Sequence, residues 1–88
     1  MNEIEKIEAE EVAQGKLLPK TNIDNAPRNL EALIELPRIV RWRLALQLGF
    51  PTEEYKSEYK NASAFVQSHM LRGALKAYDA WKRSQSQA

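Results

Sequence analysis

The sequence predicts an all-α protein, a compact bundle of three to four helices with a peripheral acidic N-terminal helix. Three observations carry this. There is no alternating run of β-branched residues and no Asn-Gly or Asp-Gly hairpin turn. Apolar residues recur three and four positions apart, the helical period. Helix-stopping and helix-starting residues (Gly15, Pro37, Gly49, Thr52) divide the chain into helix-sized pieces. The expected organisation is an acidic helical arm over 1–15, a loop over 16–26, a helical core over 27–84 and a frayed tail over 85–88.

In the arm, Ile4, Ile7 and Val12 stand among five glutamates, a stripe too narrow to hold a short helix alone, and Gly15 reads as its C-cap. The loop contains Pro19 and the polar run Thr21-Asn22-Ile23-Asp24-Asn25, with Leu17, Leu18 and Ile23 apolar enough to pin it to a core. Asn25 is the expected N-cap of the next helix, with Pro27 in its first turn, where a missing N–H costs nothing. Leu30, Leu33 and Ile34 then share one face. An interior proline costs a helix about 3 kcal/mol, so a kink or break is expected at Leu36, before Pro37. The helix from Pro37 to Leu48 ends at Gly49, and Thr52 caps its successor, with Glu53 and Glu54 at the positive end of the helix dipole. That last helix is expected to run from Glu53 to about Arg83, bent near Asn61-Ala62-Ser63. Its apolar stripe would be Tyr55, Tyr59, Ala62, Val66, Met70, Ala74, Ala77 and Trp81, widened by Phe65, Leu71, Leu75 and Tyr78.

Composition bounds the function. The chain has 88 residues, enough for one thin core and not for a core plus a large cavity. It has no cysteine, hence no disulfide framework and no thiolate metal site. Its start, Met1-Asn2-Glu3-Ile4-Glu5, is acidic where a secretory signal is basic and then apolar, and no stretch approaches a membrane span. A cytoplasmic location without membrane contact is expected. The net charge of +1 conceals an asymmetry: four basic and eight acidic residues up to Leu36, nine basic and four acidic from Pro37 onward. Such halves attract each other, and the basic half also suits a polyanion.

The segment from Pro37 to Leu48 is apolar on two sides, with Ile39, Trp42 and Leu46 on one and Val40, Leu44 and Leu48 on the other. It reads either as a central core helix or as a helix with one side left for a partner. Ala45 and Gly49, four apart and flanked by Leu44 and Leu48, with Tyr55 six residues after the glycine, resemble the corner of helix-turn-helix DNA-binding domains. The resemblance covers about 20 residues and implies nucleic-acid contacts from Lys56, Ser57, Lys60 and Asn61. The sequence departs from that pattern in placing Glu53, Glu54 and Glu58 on the would-be recognition helix, where phosphates would repel them, and in offering no arginine for guanine. Arg72, Lys76, Lys82 and Arg83 lie near Tyr78 and Trp81 and form a second basic group, interrupted by Asp79. Gly73, with Ala74, Ala77 and Ala80, marks either a close helix crossing or a solvent face. His69 is the sole histidine and has no partners that would make a metal site or a triad, and the three glycines are too isolated for a phosphate loop.

The function expected from these readings is that of a small non-enzymatic helical adaptor or regulatory protein. It would act through protein–protein contacts, on a protein partner or on itself as a homo-oligomer, with no cofactor, metal or small-molecule substrate. The contact residues expected are Arg38, Arg41, Trp42, Arg43, Tyr78 and Trp81, because arginine, tyrosine and tryptophan dominate binding hot spots. The alternative is a nucleic-acid-binding regulator using the corner around Gly49.

Overall fold

Short-range punctuation sets the helix ends, and one long helix collects the others. The computed structural model describes residues 21–86 together with Lys6, Ala9, Glu10 and Ala13, four positions that are helical and exposed. Among the described residues there are four helices and no strand: α1 Leu30–Glu35, α2 Arg38–Leu48, α3 Glu53–Asn61 and α4 Ala64–Ser86. α4 packs against each of the other three, so the expected all-α bundle is the fold observed. The Gly15 cap and the positions of Leu17 and Leu18 lie outside the described residues.

Two expected breaks stand where local chemistry puts them. Leu36 leaves the helix in an extended conformation (φ −62°, ψ 142°), as the residue before a proline does, and Pro37 becomes the N-cap of α2. Gly49 ends α2 with φ +85°, and its N–H donates to Ala45 O at 2.9 Å. Thr52 caps α3 as expected, its Oγ1 accepting from Tyr55 N at 3.0 Å.

Three boundaries differ from the sequence-based expectation. α1 begins at Leu30, capped by Asn29, whose Oδ1 accepts from Ala32 N at 2.8 Å. Asn25 instead closes a turn with Asn22, each side-chain oxygen accepting the other's backbone N–H at 2.9 and 3.0 Å. Pro27 accordingly precedes the helix. The bend near Asn61 to Ser63 is a full break: Ala62 is extended, and Ser63 starts α4 anew, its Oγ accepting from Val66 N at 3.2 Å. At the other end α4 continues through Ser84 and Gln85 to Ser86, beyond the expected tail boundary.

The break at Ala62 has a consequence for packing. A single helix would align Tyr59 with Val66 and Ala77 on one stripe, but the interruption rephases α4. Its buried side is Gln67, Ser68, Leu71 and Leu75, while Phe65, Val66, Ala77 and Trp81 turn outward. The core gathers Leu33 of α1, Ile39, Val40 and Leu44 of α2, Tyr59 of α3 and Leu71 and Leu75 of α4, each at most 2% exposed. Ile23 packs on its edge, as the loop reading anticipated.

α2 is the central core helix, covered on both sides. Trp42 is 3% exposed and sits within 6.0 Å, centroid to centroid, of both Phe50 and Tyr59. Ile39, Trp42, Val40 and Leu44 of the two-sided apolar pattern are thereby buried, while Leu46 and Leu48 are half-buried against the core.

Candidate functional site

Arg41 is 5% exposed, which for an arginine demands a full set of acceptors. It finds them at the end of a helix. Nη1 donates to Leu33 O, to Ile34 O at 3.2 Å and to Leu36 O, while Nε donates to Gln67 Oε1 at 3.0 Å. The last carbonyls of a helix lack intrahelical partners and carry partial negative charge, so a guanidinium can replace both the missing donors and the missing counter-charge. Gln67 passes the link on, its Nε2 donating to Tyr59 O at 2.9 Å. One buried arginine thus joins α1, α2, α3 and α4, in place of the surface contact expected of it.

Trp42 likewise belongs to the interior. Arg38 is exposed, and its Nη2 donates to Lys60 O at 3.0 Å, tying the start of α2 to the end of α3. Arg43 is half-buried on the opposite polar edge of α2. The six residues expected to make contacts therefore do not form one patch.

Tyr78 and Trp81 lie on the C-terminal half of α4, where residues 21–28 cross it as a strap. Arg28 grips Asp79 with two parallel bonds, Nε to Oδ2 and Nη2 to Oδ1, both 2.9 Å. The same guanidinium donates to Ile23 O and Ala26 O at 2.7 Å, which shapes the strap itself. Four residues earlier, Asp24 Oδ1 accepts from Lys82 Nζ at 2.7 Å and from Tyr78 Oη at 3.2 Å. Both carboxyls are held below their ordinary range, Asp24 by its bond from Lys82 and Asp79 by its bond from Arg28. Tyr78 is occupied in this strap. Trp81 is 57% exposed with its ring 6.0 Å from that of Tyr78.

Pairing Asp79 with Arg28 also removes the one acidic interruption in the basic group of α4. The outward side of this helix carries Arg72, Lys76 and Arg83 and no other carboxylate. Beside that ridge, at helical spacing, run Val66, Gly73, Ala77 and Ala80, all exposed. A Cβ added at Gly73 would meet no neighbouring atom, so Gly73 marks a solvent face and not a crossing among the described residues. Phe65 is 54% exposed and Val66 41%, and Phe65 meets the His69 ring edge-on at 4.6 Å. The sequence pattern puts Val66 in the apolar stripe of the last helix and Phe65 among the residues that widen it. The signal that would have relocated them is Ser63, an N-cap residue in the middle of an otherwise continuous pattern.

The alternative nucleic-acid residues gather on α3. Lys56, Ser57 and Lys60 line a shallow depression of about 170 Å³ together with Glu53, and the Asn61 amide donates to Ser57 O at 2.9 Å. Glu53 sets a carboxylate among the lysines where a phosphate would have to sit. A second recess of about 20 Å³, lined by Ala45, Leu48, Phe50, Tyr55, Met70 and Ala74, has room for little more than a water molecule. Among the described residues no three His, Asp or Glu side chains assemble, and no helix is long and apolar enough to cross a membrane.

Fold and surface together define a small all-α bundle in which, among the described residues, α4 turns Phe65, Val66 and Trp81 outward. Comparison with protein families, with curated proteins and with solved structures finds no match to this chain.

Proposed function

We propose that this chain is a small non-enzymatic helical adaptor or regulatory protein that works through protein–protein contacts made on the outward face of α4. The observation that supports this reading is a single one: Phe65 and Val66 at the start of α4 and Trp81 near its end stand 41–57% exposed, on a helix whose solvent-facing part also carries Arg72, Lys76 and Arg83. Large aromatics beside arginine are the composition of binding hot spots, and the small residues between them let a partner helix approach closely. The uniform sign of the ridge selects the partner. Two copies paired symmetrically through this face would set Arg72 and Lys76 against themselves, so the fitting partner presents carboxylates around an apolar stripe.

Affinity capture from the native host, with and without nuclease, tests this. A protein that is retained after nuclease treatment, and lost from Phe65→Ala with Trp81→Ala, fits the reading. Truncating each residue should weaken binding about tenfold, the equivalent of roughly 1.4 kcal/mol. Capture of nucleic acid alone, falling steeply with salt and strengthened by Glu53→Lys, would instead favour the corner around Gly49 and the contacts Lys56, Ser57, Lys60 and Asn61.

A further inference from the structure

From the charge and the dimensions of this face we infer that the acidic N-terminal sequence of the same chain docks along the outward side of α4 and occupies it in the absence of a partner. Lys6, Ala9, Glu10 and Ala13 are helical and exposed, and lie within one helix side at spacings of three and four. At that periodicity the opposite side of the sequence carries Ile4, Ile7 and Val12 with Glu8 and Glu11 between them. Branched apolar residues interleaved with carboxylates are what the α4 face requires, with its apolar strip beside Arg72, Lys76 and Arg83.

The lengths also agree. Docked as a helix, the thirteen residues 2–14 would span about 20 Å at 1.5 Å per residue, and Val66 to Ala80 spans about 21 Å by the same rise. The attachment point is suitable too, because Asp24 is bonded to Lys82 and Tyr78 at the C-terminal half of α4. From Gln14 to Asp24 the chain reaches at most about 33–36 Å, enough to return along the helix from its anchored end. The arm is then a tethered competitor for any acidic partner of this face, and binding requires its release. This rests on the reading of the α4 face as a docking surface and adds what covers it.

The chain has no cysteine, so Ala9→Cys takes a single nitroxide label on the full-length protein. The readout is paramagnetic broadening of backbone amides in 15N-labelled protein. Broadening of the outward amides from Val66 to Ala80 is expected, with loss in Arg72→Glu with Lys76→Glu and recovery when Glu8→Lys and Glu11→Lys are added. Broadening confined to other parts of the bundle, or none, overturns the inference. A mixture of unlabelled-isotope spin-labelled chains with 15N chains should show no α4 broadening; broadening there would make a second copy the occupant and overturn docking within one chain. If the label never approaches α4 while capture still depends on Phe65 and Trp81, the docking surface stands and the arm is not its cover. If capture is also indifferent to those residues, the reading of the face itself fails.

Discussion

The Arg41 guanidinium donates to the Gln67 side-chain oxygen at 3.0 Å across 26 positions of sequence, and both residues are buried. Around this bond the ends of three helices meet, because Arg41 also takes the terminal carbonyls of α1 and Gln67 takes Tyr59 O. Arg41 and Gln67 thus link the helices through one connected set of buried hydrogen bonds, with consequences for stability.

Arg41→Met should destabilise the protein by about 3 kcal/mol or more, since it takes the Arg41 donors from Gln67 Oε1, Ile34 O and Leu36 O, while Leu33 O keeps the Leu36 N–H. Arg41→Lys keeps the charge but cannot reach both directions at once, and should lose about 2 kcal/mol. Urea denaturation of both variants checks this, and a double-mutant cycle with Gln67→Met should give a coupling of about 1 kcal/mol. Losses well under 1 kcal/mol would show that α1 is held by its apolar face alone.

Tyr59 is 1% exposed, and its hydroxyl has no partner among the described residues. Tyr59→Phe should therefore stabilise the fold by about 1 kcal/mol, reversing the usual sign for a core substitution. Burial also pushes the phenol well above its ordinary value of 10.0. Folding then favours the protonated form, so stability is intact below pH 10 and falls as pH rises beyond it, where the unfolded chain ionises first. Thermal melts between pH 9 and 11 should show a steeper decline in the parent than in Tyr59→Phe.

The strap predicts the opposite dependence in acid. Asp24 and Asp79 have carboxyls depressed by Lys82 and Arg28, so their contribution is present above the ordinary value of 3.8 and is lost as pH falls through the depressed values. Melting temperature should be flat from pH 7 to 5 and decline below pH 4, less steeply in Asp79→Asn. Arg28→Ala should lower it further than Asp79→Ala, because Arg28 also holds Ile23 O and Ala26 O.

Gly49 has φ +85°, a region that L side chains rarely adopt, while a Cβ there would meet no neighbour within 4 Å. The cost of substitution is therefore backbone strain without a packing clash. Gly49→Ala should lose about 1 kcal/mol and Gly49→Val, with a branched Cβ, more than that. Chemical denaturation is the measurement, and equal stability for parent and Gly49→Val would contradict the left-handed corner.

The helix class and most of the helix ends were legible in the sequence because their causes act over a few residues. Pro37 cannot continue a helix, Gly49 alone tolerates its φ, and the Thr52 hydroxyl reaches an N–H three positions on. The choice between Asn25 and Asn29 as a cap was not legible, since both are good caps and only the reciprocal turn with Asn22 removes the first from contention. The docking face was half legible: the basic residues of α4 were visible, but Asp79 interrupted them until Arg28, 51 positions away, was seen to take it.

By itself the sequence determined an all-α chain, its breaks at Leu36 and Gly49, and the opposite charge of its two halves, all properties of neighbours or of totals. Tertiary structure alone decided that Arg41 and Trp42 lie inside and that Phe65 and Val66 lie outside. The physical reason is that burial of a guanidinium depends on acceptors from other helices. The side a residue faces depends on helix phase, which the two-residue break at Ala62 and Ser63 resets for all of α4.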